Sequence, residues 1–104
     1  MKLVYDNKSI ELIECSTFFS RFMGFMGKKK IDYSLLFNNC NSIHTFFMKS
    51  NIDVIMCDAD NNILFFYKDL PKNKIILPKA KVSKVFETPN GYFDIKIGKK
   101  MIIK

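Results

Sequence analysis

The segment from Ile43 to Asp60, IHTFFMKSNIDVIMCDAD, constrains this chain more than any other, because it joins two β-prone runs to the sole histidine and to an aspartate inside a run. Ile43 to Met48 is β-branched and aromatic, Lys49-Ser50-Asn51 is polar and turn-like, and Asp53 to Cys57 is a second apolar run opened by a carboxylate. Strand alternation places His44, Phe46 and Met48 on one face of the first run and Ile43, Thr45 and Phe47 on the other. Both faces are largely apolar, so a central strand is expected over 43–48, with His44 a core residue that needs a hydrogen-bond partner. Asp53 raises the same question more sharply. A carboxylate desolvated without a partner costs several kcal/mol. Arg21 and His44 are the candidate side chains, and capping of a turn at the start of the strand is the simpler alternative.

The rest of the chain reads as short strands punctuated by turns. Lys2 to Tyr5 and Ser9 to Cys15 form a hairpin around Asp6-Asn7-Lys8. From Ser16 the spacing changes. Phe18, Phe19, Phe22, Met23 and Met26 recur at helical intervals, with Ser16 or Thr17 as N-cap and Gly24 and Gly27 near the end, which predicts one short helix near residues 17–26. Within it stands Arg21, the only arginine, either lying over apolar neighbours or paired with a carboxylate. Tyr33 to Phe37 is a strand and 38–42 a polar loop. Asp58 to Asn62 is a turn, where Asp58 and Asp60 make at most a weak calcium-loop signal. Ile63 to Tyr67 continues the meander. Pro71 to Lys81 is a loop with a short edge strand, Val82 to Thr88 a strand, Pro89-Asn90-Gly91 a turn and Met101 to Ile103 a closing strand.

At 104 residues with 48% hydrophobic content and 11 Phe, the chain suffices for one core, and a single domain over 1–104 is expected. No window approaches the length of a membrane span. The opening MKLVYDNKSIE meets charge too early for a secretory signal, which suggests a cytoplasmic protein. Cys15, Cys40 and Cys57 are odd in number and widely spaced, and are expected to be free thiols rather than a disulfide framework or zinc site. The net charge of +7 comes almost wholly from lysine, whereas recognition of phosphates and bases typically recruits arginine. It is also spread over both halves of the chain, so no basic arm stands out.

One ordered set of fragments carries a resemblance. Arg21-x-x-Gly24-x-Met26-Gly27, Leu36-Phe37, Phe46-Phe47-Met48-Lys49, Ile52-Asp53-Val54-Ile55 with Asp58-x-Asp60, and Val85-Phe86-Glu87-x-Pro89-x-Gly91 with Ile97-Gly98 resemble Domain of Unknown Function 192, also called uncharacterised protein family 0127. The resemblance runs from about Cys15 to the C-terminus. It implies a mostly β fold, a small antiparallel β-sandwich or partly closed β-barrel with one short helix, and no established activity. It also implies characteristic polar positions at Arg21, Lys49, Asp53 and Glu87 and structural glycines at Gly24 and Gly91. Phe47 stands where the family usually has Trp, and Asn51-Ile52 where it usually has Pro-Leu.

The favoured functional reading is a non-enzymatic binding module in which Arg21, His44, Met48, Lys49, Asp53 and Glu87 hold a small polar or anionic ligand or a protein partner, without cofactor or metal. An enzyme built on Cys40, His44 and Asp53 is the alternative. Cys40 and His44 would be about 13 Å apart along an extended strand, too far for proton transfer. A third reading is nucleic-acid binding by an aromatic face carrying Phe65 and Tyr67.

Overall fold

The computed structural model describes residues 1–16, 30–46 and 48–104. The short helix expected near 17–26, with Arg21 and Gly24, lies outside these residues, and no helix occurs among them. The fold is mostly β, as nine strands: β1 (Lys2–Tyr5), β2 (Lys8–Glu14), β3 (Ser34–Asn38), β4 (Ile43–His44), β5 (Ile52–Cys57), β6 (Ile63–Leu70), β7 (Ile75–Ile76), β8 (Lys84–Pro89) and β9 (Ile102–Ile103).

Seven strands form one sheet in the order β6-β5-β8-β3-β2-β1-β9, and β4 and β7 form a separate two-stranded ribbon. Two corrections to the sandwich expectation follow. The seven strands are one curled sheet, and the pair β2–β3 is parallel, with Leu12 beside Ser34 and Glu14 beside Leu36. A parallel pair needs a crossover of a dozen residues or more, and the connection from 15 to 33 supplies it. The partly closed barrel fits better. Ile63 N donates to Lys99 O (2.8 Å), Gly98 N to Ile63 O (3.0 Å) and Met101 N to Asn61 O (3.0 Å). These bonds tie the start of edge strand β6 to the chain entering the opposite edge strand β9, closing the sheet at one end.

Each face has its own core. The inner one gathers Leu3, Tyr5, Leu12, Leu36, Ile55, Cys57, Ile63, Phe86 and Met101, with Phe93 and Ile95 packed in from an irregular segment. Cys15, Leu35, Phe37, Met48, Ile52, Val54, Met56, Ile76, Val82 and Val85 form the outer one, over which the ribbon lies through Ile43 and Ile76. The strands between the two cores are buried on both sides, so their sequences are nearly continuous in apolar residues instead of alternating. β5, IDVIMC, is buried at every position.

The strand buried on both faces is therefore β5 and not the 43–48 run. After His44 the chain leaves extended pairing because Thr45, 1% exposed, spends its hydroxyl on the neighbouring loop: Thr45 Oγ1 donates to Pro71 O (2.7 Å) and accepts from Lys74 N (2.8 Å). A side chain that binds backbone in this way competes with strand pairing.

Candidate functional site

Asp53 sits in β5 at the open end of the inner face, level with Thr88 of β8, and is 1% exposed. Among the described residues its partners are two backbone amides and not His44, while Arg21 lies outside those residues. Oδ1 accepts from Asp69 N (2.8 Å) and Oδ2 from Gly91 N (2.9 Å). Both donors are in special backbone. Lys68 and Asp69 together oppose Asp53 between the pairs Ile52–Leu70 and Val54–Tyr67, a β-bulge with Asp69 at φ 57°. Gly91 has φ 77° in the turn closed by Tyr92 N to Pro89 O (3.2 Å), a conformation that glycine adopts without strain. Each amide is thus outside the strand ladder, and the carboxylate accepts both. On the solvent side, Asp69 Oδ1 accepts from Asn51 Nδ2 and Asn90 Nδ2, both at 2.9 Å. Asp53 is therefore a clamp between two loops, buried from solvent.

Glu87 lies on the other side of the sheet. It is level with Val54 on one flanking strand and Leu35 on the other, both in the outer core, is 5% exposed, and is engaged by other groups of the protein. Because alternate residues of a strand face opposite ways, Asp53 and Glu87 point to opposite faces and share no site. Met48 is buried in the same outer core. His44 faces away from it, because its neighbour Ile43 packs inward. The His44 ring stacks on Phe46 (centroids 5.2 Å apart, 26° between planes), and its Nδ1 accepts from Phe46 N (3.3 Å). Lys49 is exposed just beyond. The described members of the expected set therefore separate into a loop clamp (Asp53), two buried outer-face residues (Met48 and Glu87), the half-buried His44 and the exposed Lys49, and Phe46, expected from the sequence to flank the site, stacks on His44.

The thiols do not assemble with His44 and Asp53. Cys40 Sγ donates to Ser42 O (3.1 Å), and among the described residues no three His, Cys, Asp or Glu side chains converge as metal ligands. Cys57 is fully buried, and burial, with the nearby Asp58 carboxylate, pushes its thiol up to about 12, against a small opposing effect of Lys84. Its folded value exceeds the unfolded one of 9.0, so the stability it confers is complete below pH 9 and is lost as pH rises towards 12. In native protein near pH 8, a thiol reagent is expected to label Cys40 first, with Cys57 and the 5% exposed Cys15 reacting only on unfolding. Rapid native labelling of Cys57, read by peptide mass, would contradict its placement.

Asp58 holds the turn after β5. Its Oδ1 accepts from Asp60 N (3.0 Å) and Asn62 N (2.9 Å) and its Oδ2 from Asn62 Nδ2 (2.9 Å), and the Asn62 side-chain hydrogen bond leads the causes that lower its pKa. Phe65 and Tyr67 share the outer face, as the nucleic-acid reading expects. Tyr67 packs on the core, whereas Phe65 is 37% exposed beneath Lys79 Nζ, 5.6 Å from its ring centroid. A groove of about 510 Å³ runs along Lys2, Ser9, Glu11, Asp32, Pro89 and Tyr92, and none of the expected site residues lines it.

Residues 2–103 match the DUF192 family model, described as Uncharacterized ACR. A UPF0127 protein of Thermococcus sibiricus is 36% identical over 84 residues, covering 75% of this chain and 54% of that protein. One from Thermococcus kodakarensis is 37% identical over 81 residues, covering 72% and 51%. The chain spans about half the length of these relatives. Among solved structures, a protein of unknown function from Novosphingobium aromaticivorans superposes with TM-score 0.82 at 15% identity, over 98% of this chain and 84% of that one. A chain from Sinorhizobium meliloti gives 0.81 at 14%, over 97% and 89%. At such identities the likeness is one of fold.

Proposed function

Since this chain belongs to the DUF192 family of uncharacterised proteins, we propose from its own geometry that it is a non-enzymatic binding module for an anionic group, met at the surface formed by His44, Phe46 and Lys49. The observation that carries the reading is the His44–Phe46 stack, an aromatic platform with the exposed Lys49 three residues further along the chain. Such a surface offers a π-face and nitrogen donors to a planar or oxygen-rich anion. Arg21, the one guanidinium of the chain, joins the set on sequence grounds. Asp53 is left out because it is 1% exposed and clamps two loop amides.

A thermal-shift titration with inorganic phosphate, glycerol phosphate and citrate at low salt tests this. A ligand at about 100 times its dissociation constant stabilises by roughly 2.7 kcal/mol, several degrees in a domain of this size. Lys49→Ala, at an exposed position, is expected to leave the unliganded melting point nearly unchanged, and both it and His44→Ala, at a half-buried position, to weaken the anion effect several-fold, with Arg21→Ala extending the series. Stabilisation that survives the His44→Ala, Lys49→Ala double variant, or none from any of these anions, would sink the reading.

A further inference from the structure

The ribbon beside this surface has a composition of its own. Ile43 and Ile76 pack inward, so their neighbours His44 and Ile75, which lie opposite each other in register, face out. Ile75 is 59% exposed and Leu77 69%, and Phe46 adds an aromatic ring at 37%. From Leu70 to Phe86 the chain carries five lysines and no acidic residue. Lys72 is three residues from Ile75, and Lys79 and Lys81 are two and four from Leu77. At 3.8 Å per residue these backbones lie within roughly 8–15 Å of the exposed aliphatic groups. Among the described residues, none of Lys72, Lys74, Lys79 or Lys81 is in an ion pair. Protruding aliphatic side chains among unpaired lysines are the two signals that reversible attachment to a charged bilayer requires.

We infer that the β4–β7 ribbon docks on an anionic lipid surface, with Ile75, Leu77 and Phe46 entering the interface and the lysines of 72–81 meeting the headgroups. The inference rests on the anion-binding reading and names the source of the anion. Two observations favour lipid over a protein partner. The apolar groups are 37–69% exposed, and a fluid interface accepts a protrusion of any shape. The charges are all lysine, a hydrated point charge suited to a diffuse negative surface, whereas geometric recognition of carboxylates favours arginine.

The test is co-sedimentation of the 104-residue chain at low salt with phosphatidylcholine vesicles, with and without phosphatidylserine. Binding is expected only to the phosphatidylserine vesicles. Ile75→Ser with Leu77→Ser should weaken partitioning at least about tenfold, the loss expected for withdrawing two aliphatic groups from the interface. Lys72→Gln, Lys74→Gln and Lys81→Gln together should weaken it on the order of a hundredfold, at about fivefold per lysine. All five positions are exposed, so an unchanged melting point will show that the variants fold. Absence of binding to phosphatidylserine vesicles, or binding that the serine variant retains in full, overturns the inference. If vesicles fail while glycerol phosphate still stabilises the protein, the lipid source is wrong and the anion-binding module stands; if both fail, both readings fall.

Discussion

Asp53→Asn is expected to lower the stability of the domain by about 2–4 kcal/mol. Asparagine keeps one acceptor oxygen but puts an NH2 group where the second was, so one of the two amides, Asp69 N or Gly91 N, would face another donor. That change removes a charge-assisted hydrogen bond, about 1.5–3 kcal/mol, and strands a buried N–H at about 1–3 kcal/mol. Relief from desolvating the charge offsets part of the sum. Urea denaturation should show a lower midpoint at unchanged slope. Asp69→Asn is the control. Its Oδ1, which accepts from Asn51 and Asn90 at the surface, is retained, so a loss below about 1 kcal/mol is expected. If Asp53→Asn also falls below that level, the carboxylate does not clamp the two loops.

Phe86→Ala should be costlier still, about 3–5 kcal/mol, the range for deleting a fully buried phenyl ring. Phe86 is 0% exposed on β8 and contacts the inner core, level with Leu36 on one side and Ile55 on the other. The strands on either side leave no room for the backbone to collapse into the cavity, which places the loss in the upper part of that range. Phe65→Ala, at the 37% exposed edge position, should cost far less. Comparable losses at the two positions would mean that the barrel interior is not where the stability resides.

Much of this was legible in residue order. The β1–β2 and β5–β6 hairpins, the β7 edge strand, the turn at Asp58 and the glycine turn at 91 follow from local chemistry, which acts over a few residues and so shows in any short window, whereas the 43–48 and 53–57 runs do not pair with each other. Asp53 stood out because a carboxylate inside an apolar run must find partners. Its donors were not legible, because they are main-chain amides 16 and 38 residues away, and a backbone N–H leaves no mark in side-chain identity. The parting of Asp53 from Glu87 was hidden for a related reason: each strand's alternation is readable alone, but which faces coincide depends on the register between strands.

Of two similar apolar runs, 43–48 and 52–57, the sequence marks both as β-prone and ranks neither. Tertiary structure put the second inside the large sheet, between β6 and β8, and turned the first aside through the Thr45 hydroxyl. Composition and turn chemistry by themselves determined a mostly β chain with room for one core, an aspartate that needs partners and an excess of lysine. The parallel β2–β3 pair, the closure of one end of the sheet and the surface meeting of His44, Phe46, Ile75 and Leu77 were decided only by long-range pairing. The free energy of those pairings comes from burying two faces at once, and no segment can gain it alone.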